Sequence, residues 1–368
     1  GGTATIVLNG TGTWSHGAAF YLSNPLIFNT SGTITISGTV YFSSVGSIIY
    51  TAGTVISNGS TLQTNAGTIS TGTMLWNNIL FATNGSSVMS IGSNLYVNGT
   101  FTIGGNGTVS GTFNIYCNNF TINNSTSGGS VVAATMSQIV YVYNTLTFGF
   151  SSSGTGSNGA TFYVNGNLAL GNGGANGGTS QVIMTGTGTV SGTNNFAHPL
   201  TINSSGVITF STTFTISSTF TYTSGIVKAN TTTLTCAPAS GQTLIGMNKI
   251  AWKAVVLTSG QTFTMNEFFS GSPSVRTNIT PSSTTNYIIT FQDRFEKFSK
   301  FVKVNRATIS TPGQLTVTTY KGNQLNNVGI KFAPNNINNG LAKNNPSVQP
   351  TPTYGLQPTF LMADPTLS

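Results

Sequence analysis

The sequence predicts an all-β protein: a parallel β-solenoid (β-helix), then a small β-domain and an extended C-terminal arm. Three observations lead there. No Asp, Glu, Lys or Arg occurs from Gly1 to Val227, and Lys228 is the first charged side chain. Short runs of Thr alternating with Ile or Phe are separated by Asn-Gly, Ser-Gly and Gly-Gly pairs. Several of these runs recur along the chain, and internal repetition is the signature of stacked repeat architectures.

The strand signals come first. Thr33-Ile34-Thr35-Ile36-Ser37 precedes Gly38, and Thr39-Val40-Tyr41-Phe42 follows it. Phe101-Thr102-Ile103, Phe113-Asn114-Ile115, Phe120-Thr121-Ile122, Phe214-Thr215-Ile216 and Phe220-Thr221-Tyr222 keep the same rhythm. Period-two alternation suits a pleat with one face in a core and the other in water. The intervening glycine and asparagine pairs supply the positive φ of tight turns. No helix-period stripe interrupts the first 235 residues.

The repeats come second. Gly107-Thr108-Val109-Ser110-Gly111-Thr112 returns as Gly188-Thr189-Val190-Ser191-Gly192-Thr193, and Tyr96-Val97-Asn98-Gly99 returns as Tyr163-Val164-Asn165-Gly166. Asn119-Phe120-Thr121-Ile122-Asn123 has its counterpart in Pro199-Leu200-Thr201-Ile202-Asn203. The offsets are unequal, so insertions are tolerated between copies, as a solenoid allows. Asn-Gly turns also suit antiparallel hairpins, which makes a sandwich or barrel the alternative. Short runs and recurring cassettes favour coil stacked on coil.

Charge is the third observation. Soluble domains carry about a quarter charged residues, whereas this chain has 4%. In stacked coils, Thr, Ser and Asn can form ladders that hydrogen-bond along the stack. Like charges about 4.8 Å apart would repel. All twelve basic and four acidic residues lie from Lys228 onward, so a neutral body joins a basic end, with a net charge of +8. This divides the chain into a solenoid over 1–235, a basic β-domain over 236–333 and an Asn/Pro-rich arm over 334–368. Strands are expected at Ala254–Leu257, Thr262–Met265, Tyr287–Phe291, Phe298–Val304 and Gln314–Thr319.

Composition also limits the chemistry. With 38% hydrophobic residues, 23 Phe and 12 Tyr, the chain is too apolar and aromatic for disorder. No apolar run nears the roughly 20 residues that span a bilayer; Ile139–Tyr143 is typical of the longest. The start at Gly1-Gly2, without initiator Met or signal-type segment, reads as a processed product or a piece of something longer. Glycoside cleavage needs a positioned acid and base, yet the carboxylates are confined to Glu267, Asp293, Glu296 and Asp364. Asp293 and Glu296 adjoin Arg294 and Lys297, as in a solvated turn. His16 and His198 have no acid near them in sequence to complete a triad. No catalytic, cofactor or metal site is expected, and the protein is read as a non-enzyme.

The remaining candidates have plain structural readings. Cys117 and Cys236 could form one disulfide, but buried small hydrophobes fit better. The glycine-rich run Gly171–Gly178 lacks the Lys-Ser/Thr that phosphate loops need, and reads as an insertion between coils. Calcium-binding nonapeptide coils need Asp, which the repeats lack. Sequons such as Asn9-Gly10-Thr11, Asn84-Gly85-Ser86, Asn98-Gly99-Thr100, Asn119-Phe120-Thr121 and Asn278-Ile279-Thr280 are turn chemistry unless the host glycosylates them. Trp14, Trp76 and Tyr116 could stack on sugars, but their place beside strand cassettes favours core or capping positions. Lys297 to Arg306 interleaves basic and aromatic residues, too thinly for a nucleic-acid footprint. It reads as a solvated strand face, or else as a surface docking a neighbouring subunit.

The cassettes Thr33–Thr39 and Gly107–Thr112 resemble β-solenoid repeats of phage and viral fibres and of bacterial surface adhesins. Residues Val256 to Phe332 look like the small β-domain that often closes such arrays. The resemblance implies a structural or adhesive role in a virion or extracellular fibre. The expected partners are further copies of the chain or other structural subunits, without nucleic acid or a membrane span. The alternative is a secreted microbial surface adhesin or glycan-binding module that takes a cell-surface glycan.

Overall fold

The fold was analysed on a computed structural model. It describes residues 4–16, 21–42, 46–82, 87–104, 107–122, 132–149, 155–171, 177–237, 242–257, 262–265, 277–281, 287–291, 302–304, 314–319 and 328–331. Among these the chain is all-β, a parallel β-solenoid, with one 3-10 turn at Met247–Lys249. It divides into two units, Gly1–Gly188 and Thr189–Ser368.

In the first unit the coils pass in turn through two sheets, and each returns about one strand spacing along the stack. One sheet passes through Gly67–Ser70, Ser87–Ile91, Gly107–Ser110 and Val132–Met136, each paired in parallel with the next. The other passes through Leu75–Phe81, Leu95–Ile103, Ile115–Ile122, Ile139–Phe148 and Thr161–Val164. Parallel sheets need a crossover between paired strands. Here the opposite sheet supplies it, so no helix is required.

Alternation becomes burial. In Leu95–Ile103 the residues Leu95, Val97, Phe101 and Ile103 are buried, while Tyr96, Asn98, Thr100 and Thr102 are not. Register then places like on like. Leu95, Ile115, Val140 and Phe162 make one buried column. Trp76, Val97, Cys117, Val142 and Val164 make a second. In a third, Phe101 stacks on Phe120 with centroids 5.1 Å apart and planes 10° from parallel.

The longest strands are bent around corners. Leu26–Phe42 loses its in–out alternation near Asn29–Gly32 and again at Ser37–Gly38, where its pairing with Ser47–Thr64 shifts register. The Thr33–Ser37 and Thr39–Phe42 runs are thus successive sides of one coil. Phe113-Asn114-Ile115 departs from expectation. Ile115 is buried beneath Leu95, whose N–H donates to the Asn114 carbonyl at 3.0 Å. Phe113 lies in the preceding turn, 41% exposed. The polypeptide leaves the left-handed turn at Gly111 too late for Phe113 to join the strand.

The second unit follows the same rule. Phe196, Ile216, Cys236, Leu257 and Pro281 are successive register partners. So are Leu200, Phe220, Leu244, Met265, Phe291 and Thr319. Parallel pairing therefore continues past residue 236, although the composition changes there. Strands occur at Trp252–Leu257, Thr262–Met265, Tyr287–Phe291, Val302–Val304 and Gln314–Thr319, with Thr277–Pro281 between them. Gln314–Thr319 and Val328–Lys331 pair antiparallel. The arm over 334–368 lies outside the described residues.

The repeated Gly-Thr-Val-Ser-Gly-Thr cassette has a conformational basis. Its second glycine is left-handed in both copies, with φ of 106° at Gly111 and 107° at Gly192. A Cβ at Gly111 would fall within contact distance of the Ile91 carbonyl on the coil above. Gly111→Ala is therefore expected to cost about 1–3 kcal/mol. Gly12→Ala, where a Cβ meets open space, should stay within about 0.5 kcal/mol of the parent. Denaturant melts of the two variants test the difference.

Candidate functional site

Among the described residues, His16, His198, Cys117 and Cys236 lie on separate coils. His198 is fully buried in the turn before Leu200, its ring 5.5 Å from that of Phe196. His16 ends the strand Gly12–His16, opposite Gly38. Glu267, Asp293, Glu296 and Asp364 lie outside the described residues, as does Lys297 to Arg306 apart from the strand Val302–Val304. Among the described residues no group of His, Cys, Asp or Glu could hold a metal. No helix there is long and apolar enough to cross a membrane. Of the glycine-rich run, Gly177–Gly178 pairs in parallel with Gly156 and Ser157, and residues 172–176 are not described.

The two cysteines are free thiols, each in a core column. Cys117 sits between Val97 and Val142, its sulfur 3.8 Å from the Tyr141 carbonyl oxygen. Cys236 sits between Ile216 and Leu257. Burial pushes both thiols well above the usual thiol range, because the thiolate would lose its hydration. The folded chain then keeps its thiol protons where the unfolded chain releases them, above about pH 8.5. With the native state binding more protons there, stability falls as pH rises through that range. Thiol reagents should leave the native protein unlabelled at neutral pH and label two sites per chain in denaturant. Counting modified cysteines by mass spectrometry checks this.

What the structure does assemble is a set of repeating outer faces. Thr102, Thr121 and Thr147 are consecutive register partners, all half-buried on the outer side of one sheet. In the second unit Thr243, Thr264, Thr290 and Thr318 occupy one register position through four strands. Side chains bond from coil to coil. Asn144 Nδ2 donates to Asn119 Oδ1 at 3.0 Å, Asn195 Nδ2 donates to Ser217 Oγ at 3.0 Å, and Ser90 Oγ and Ser110 Oγ lie 2.9 Å apart. Buried glutamines add clasps, with Gln138 Nε2 donating to the Gly111 carbonyl at 2.7 Å.

The lysines respect the same rule. Lys228 pairs with Thr209, Lys303 with Asn278 and Lys331 with Gln314, each a neutral partner. Lys228, Lys249 and Lys253 are all exposed.

The aromatics separate by face. Trp76 is fully buried, and Trp14 is half-buried, edge-on to Phe28 at 6.4 Å. Tyr116, expected in the core or a cap, instead faces outward in a ladder with Tyr96, Tyr141 and Tyr163. Its position between buried Ile115 and Cys117 is the signal for this orientation. Of the sequons, Asn9 and Asn98 are exposed, Asn119 is half-buried and Asn84 is outside the described residues.

No family model, curated protein or solved structure matches the chain.

Like-charge stacking is directly testable on these ladders. Thr121→Glu alone should cost under about 1 kcal/mol. Thr102→Glu, Thr121→Glu and Thr147→Glu together should cost more than the three single changes summed, because each carboxylate faces another one strand spacing away. The excess should vanish below about pH 4, as the carboxyls protonate. Thermal melts across pH provide the readout.

Proposed function

We propose that this protein is a non-enzymatic structural subunit of an extracellular or virion fibre or appendage, acting as a homo-oligomer. The observation that carries this reading is the like-on-like ladder. Successive coils repeat the same neutral surface, made of Thr102, Thr121 and Thr147 on one face, the Ser90–Ser110 pair on another and the Asn119–Asn144 pair at a corner. Repetition of this kind builds length and area, whereas catalysis needs an acid, a base or a nucleophile converging on one point. The carboxylate-free run from Gly1 to Val227 also supports the reading, since no pair of carboxylates can form within it. So does the fold, because stacked coils present repeated outer faces to partners.

Sedimentation velocity and electron micrographs of the purified full chain test the proposal. A concentration-dependent, regular oligomer is expected. A strict monomer that binds immobilised glycans would replace it with the adhesin reading. Polysaccharide turnover lost on replacing Glu267, Asp293 or Glu296 would replace it with an enzymatic one.

A further inference from the structure

Four tyrosines form an unbroken outward ladder on one sheet of the first unit. Tyr96 stacks on Tyr116 at 5.1 Å and 10°, Tyr116 on Tyr141 at 4.9 Å and 5°, and Tyr141 on Tyr163 at 5.4 Å and 14°. Leu75 continues the row beyond Tyr96, and Ile183 continues it beyond Tyr163. Ile139 and Tyr143 flank Tyr141 on its own strand, two residues to either side and hence on the same face. Phe113 lies in the turn leading to the strand of Tyr116. Leu75, Phe113, Ile139 and Tyr143 are 44%, 41%, 38% and 53% exposed. Leu75, Ile139 and Tyr143 place three of the large apolar side chains that the described residues leave exposed on the face of the ladder, and exposed apolar patches mark interaction surfaces.

We propose that this tyrosine ladder and its apolar border form the interface with a second copy of the same chain. The inference rests on the homo-oligomeric reading above and assigns that contact to a face. Three observations identify the occupant.

The first is ring geometry. Each tyrosine face is covered by the next tyrosine, and the end rings abut Leu75 and Ile183. A sugar therefore finds ring edges and hydroxyls instead of the open faces on which pyranose rings stack. The second is charge. No Asp, Glu, Lys or Arg lies within Gly1–Val227, so a charged partner finds no counter-ion on this face, while two copies of the face meet without repulsion.

The third is complementarity. Phenol hydroxyls both donate and accept hydrogen bonds, as do the amides of the exposed Asn118 and Asn144 at the neighbouring corner. A face built of such groups can bond to a copy of itself, which a face of acceptors alone cannot do. Its rungs repeat at the coil spacing, and a second copy has the same repeat, so the ring edges and hydroxyls of one copy can meet those of the other rung for rung. Tyrosine-rich, charge-poor surfaces are also the composition of interface cores.

The test uses the full chain in three forms: parent, Ile139→Lys with Tyr143→Lys, and Val88→Lys. Val88 is 44% exposed, on the other sheet, and serves as the control. All three substituted positions are exposed, so circular dichroism and melting temperature should stay near the parent's. Sedimentation velocity should then show the parent and Val88→Lys as oligomers, with the double variant weakened at least tenfold in association or monomeric. Tyr143→Ser alone, which adds no charge, should weaken association by a smaller factor. An oligomer unchanged by the double variant overturns the interface and leaves the proposed function standing. A parent that is monomeric at every concentration overturns both.

Discussion

A residue in a stacked coil meets, one strand spacing above and below, the residue at the same position of the neighbouring coils. Parallel register enforces this, and every side chain must be compatible with a near copy of itself. Apolar residues satisfy the condition easily, as in the column Leu95, Ile115, Val140 and Phe162. Threonine, serine and asparagine satisfy it by hydrogen bonding along the stack, and flat rings satisfy it by stacking. A lone charge is best tolerated beside a neutral register partner, as Lys228 has in Thr209, Lys303 in Asn278 and Lys331 in Gln314.

The same constraint shapes what the surface offers. A catalytic centre requires unlike groups to converge, whereas vertical repetition spreads like groups along a line. The outer faces here are accordingly lines of threonine hydroxyls, asparagine amides and phenol edges. Surfaces of that kind suit extended contacts between molecules of matching period.

Much of this was legible in the sequence. The in–out alternation of Phe101-Thr102-Ile103 and Phe120-Thr121-Ile122 is reproduced in their burial. The strands Thr262–Met265, Tyr287–Phe291 and Gln314–Thr319 were readable to the residue. The pairing of coils was less legible. Tyr96-Val97-Asn98-Gly99 and Tyr163-Val164-Asn165-Gly166 are recognisable copies, yet two further coils stand between them. Those coils carry Tyr116-Cys117-Asn118 and Tyr141-Val142-Tyr143, which share the column but too few letters to read as repeats. A column demands only similar shape and polarity at each rung, so the text of a repeat can drift while its structure holds.

By itself the sequence determined the class and the rule: all-β, stacked coils, neutral ladders, buried cysteines and no carboxylate before Glu267. These follow from composition and period-two patterning, which act locally along the chain. Only the tertiary structure decided which residues share a column. It set Tyr96, Tyr116, Tyr141 and Tyr163 in one outward stack, turned Phe113 out of its strand, and carried parallel pairing past Cys236. Those outcomes depend on coil length and on where each corner falls. Both are set by contacts between residues about 20 to 28 positions apart, beyond the reach of any local pattern.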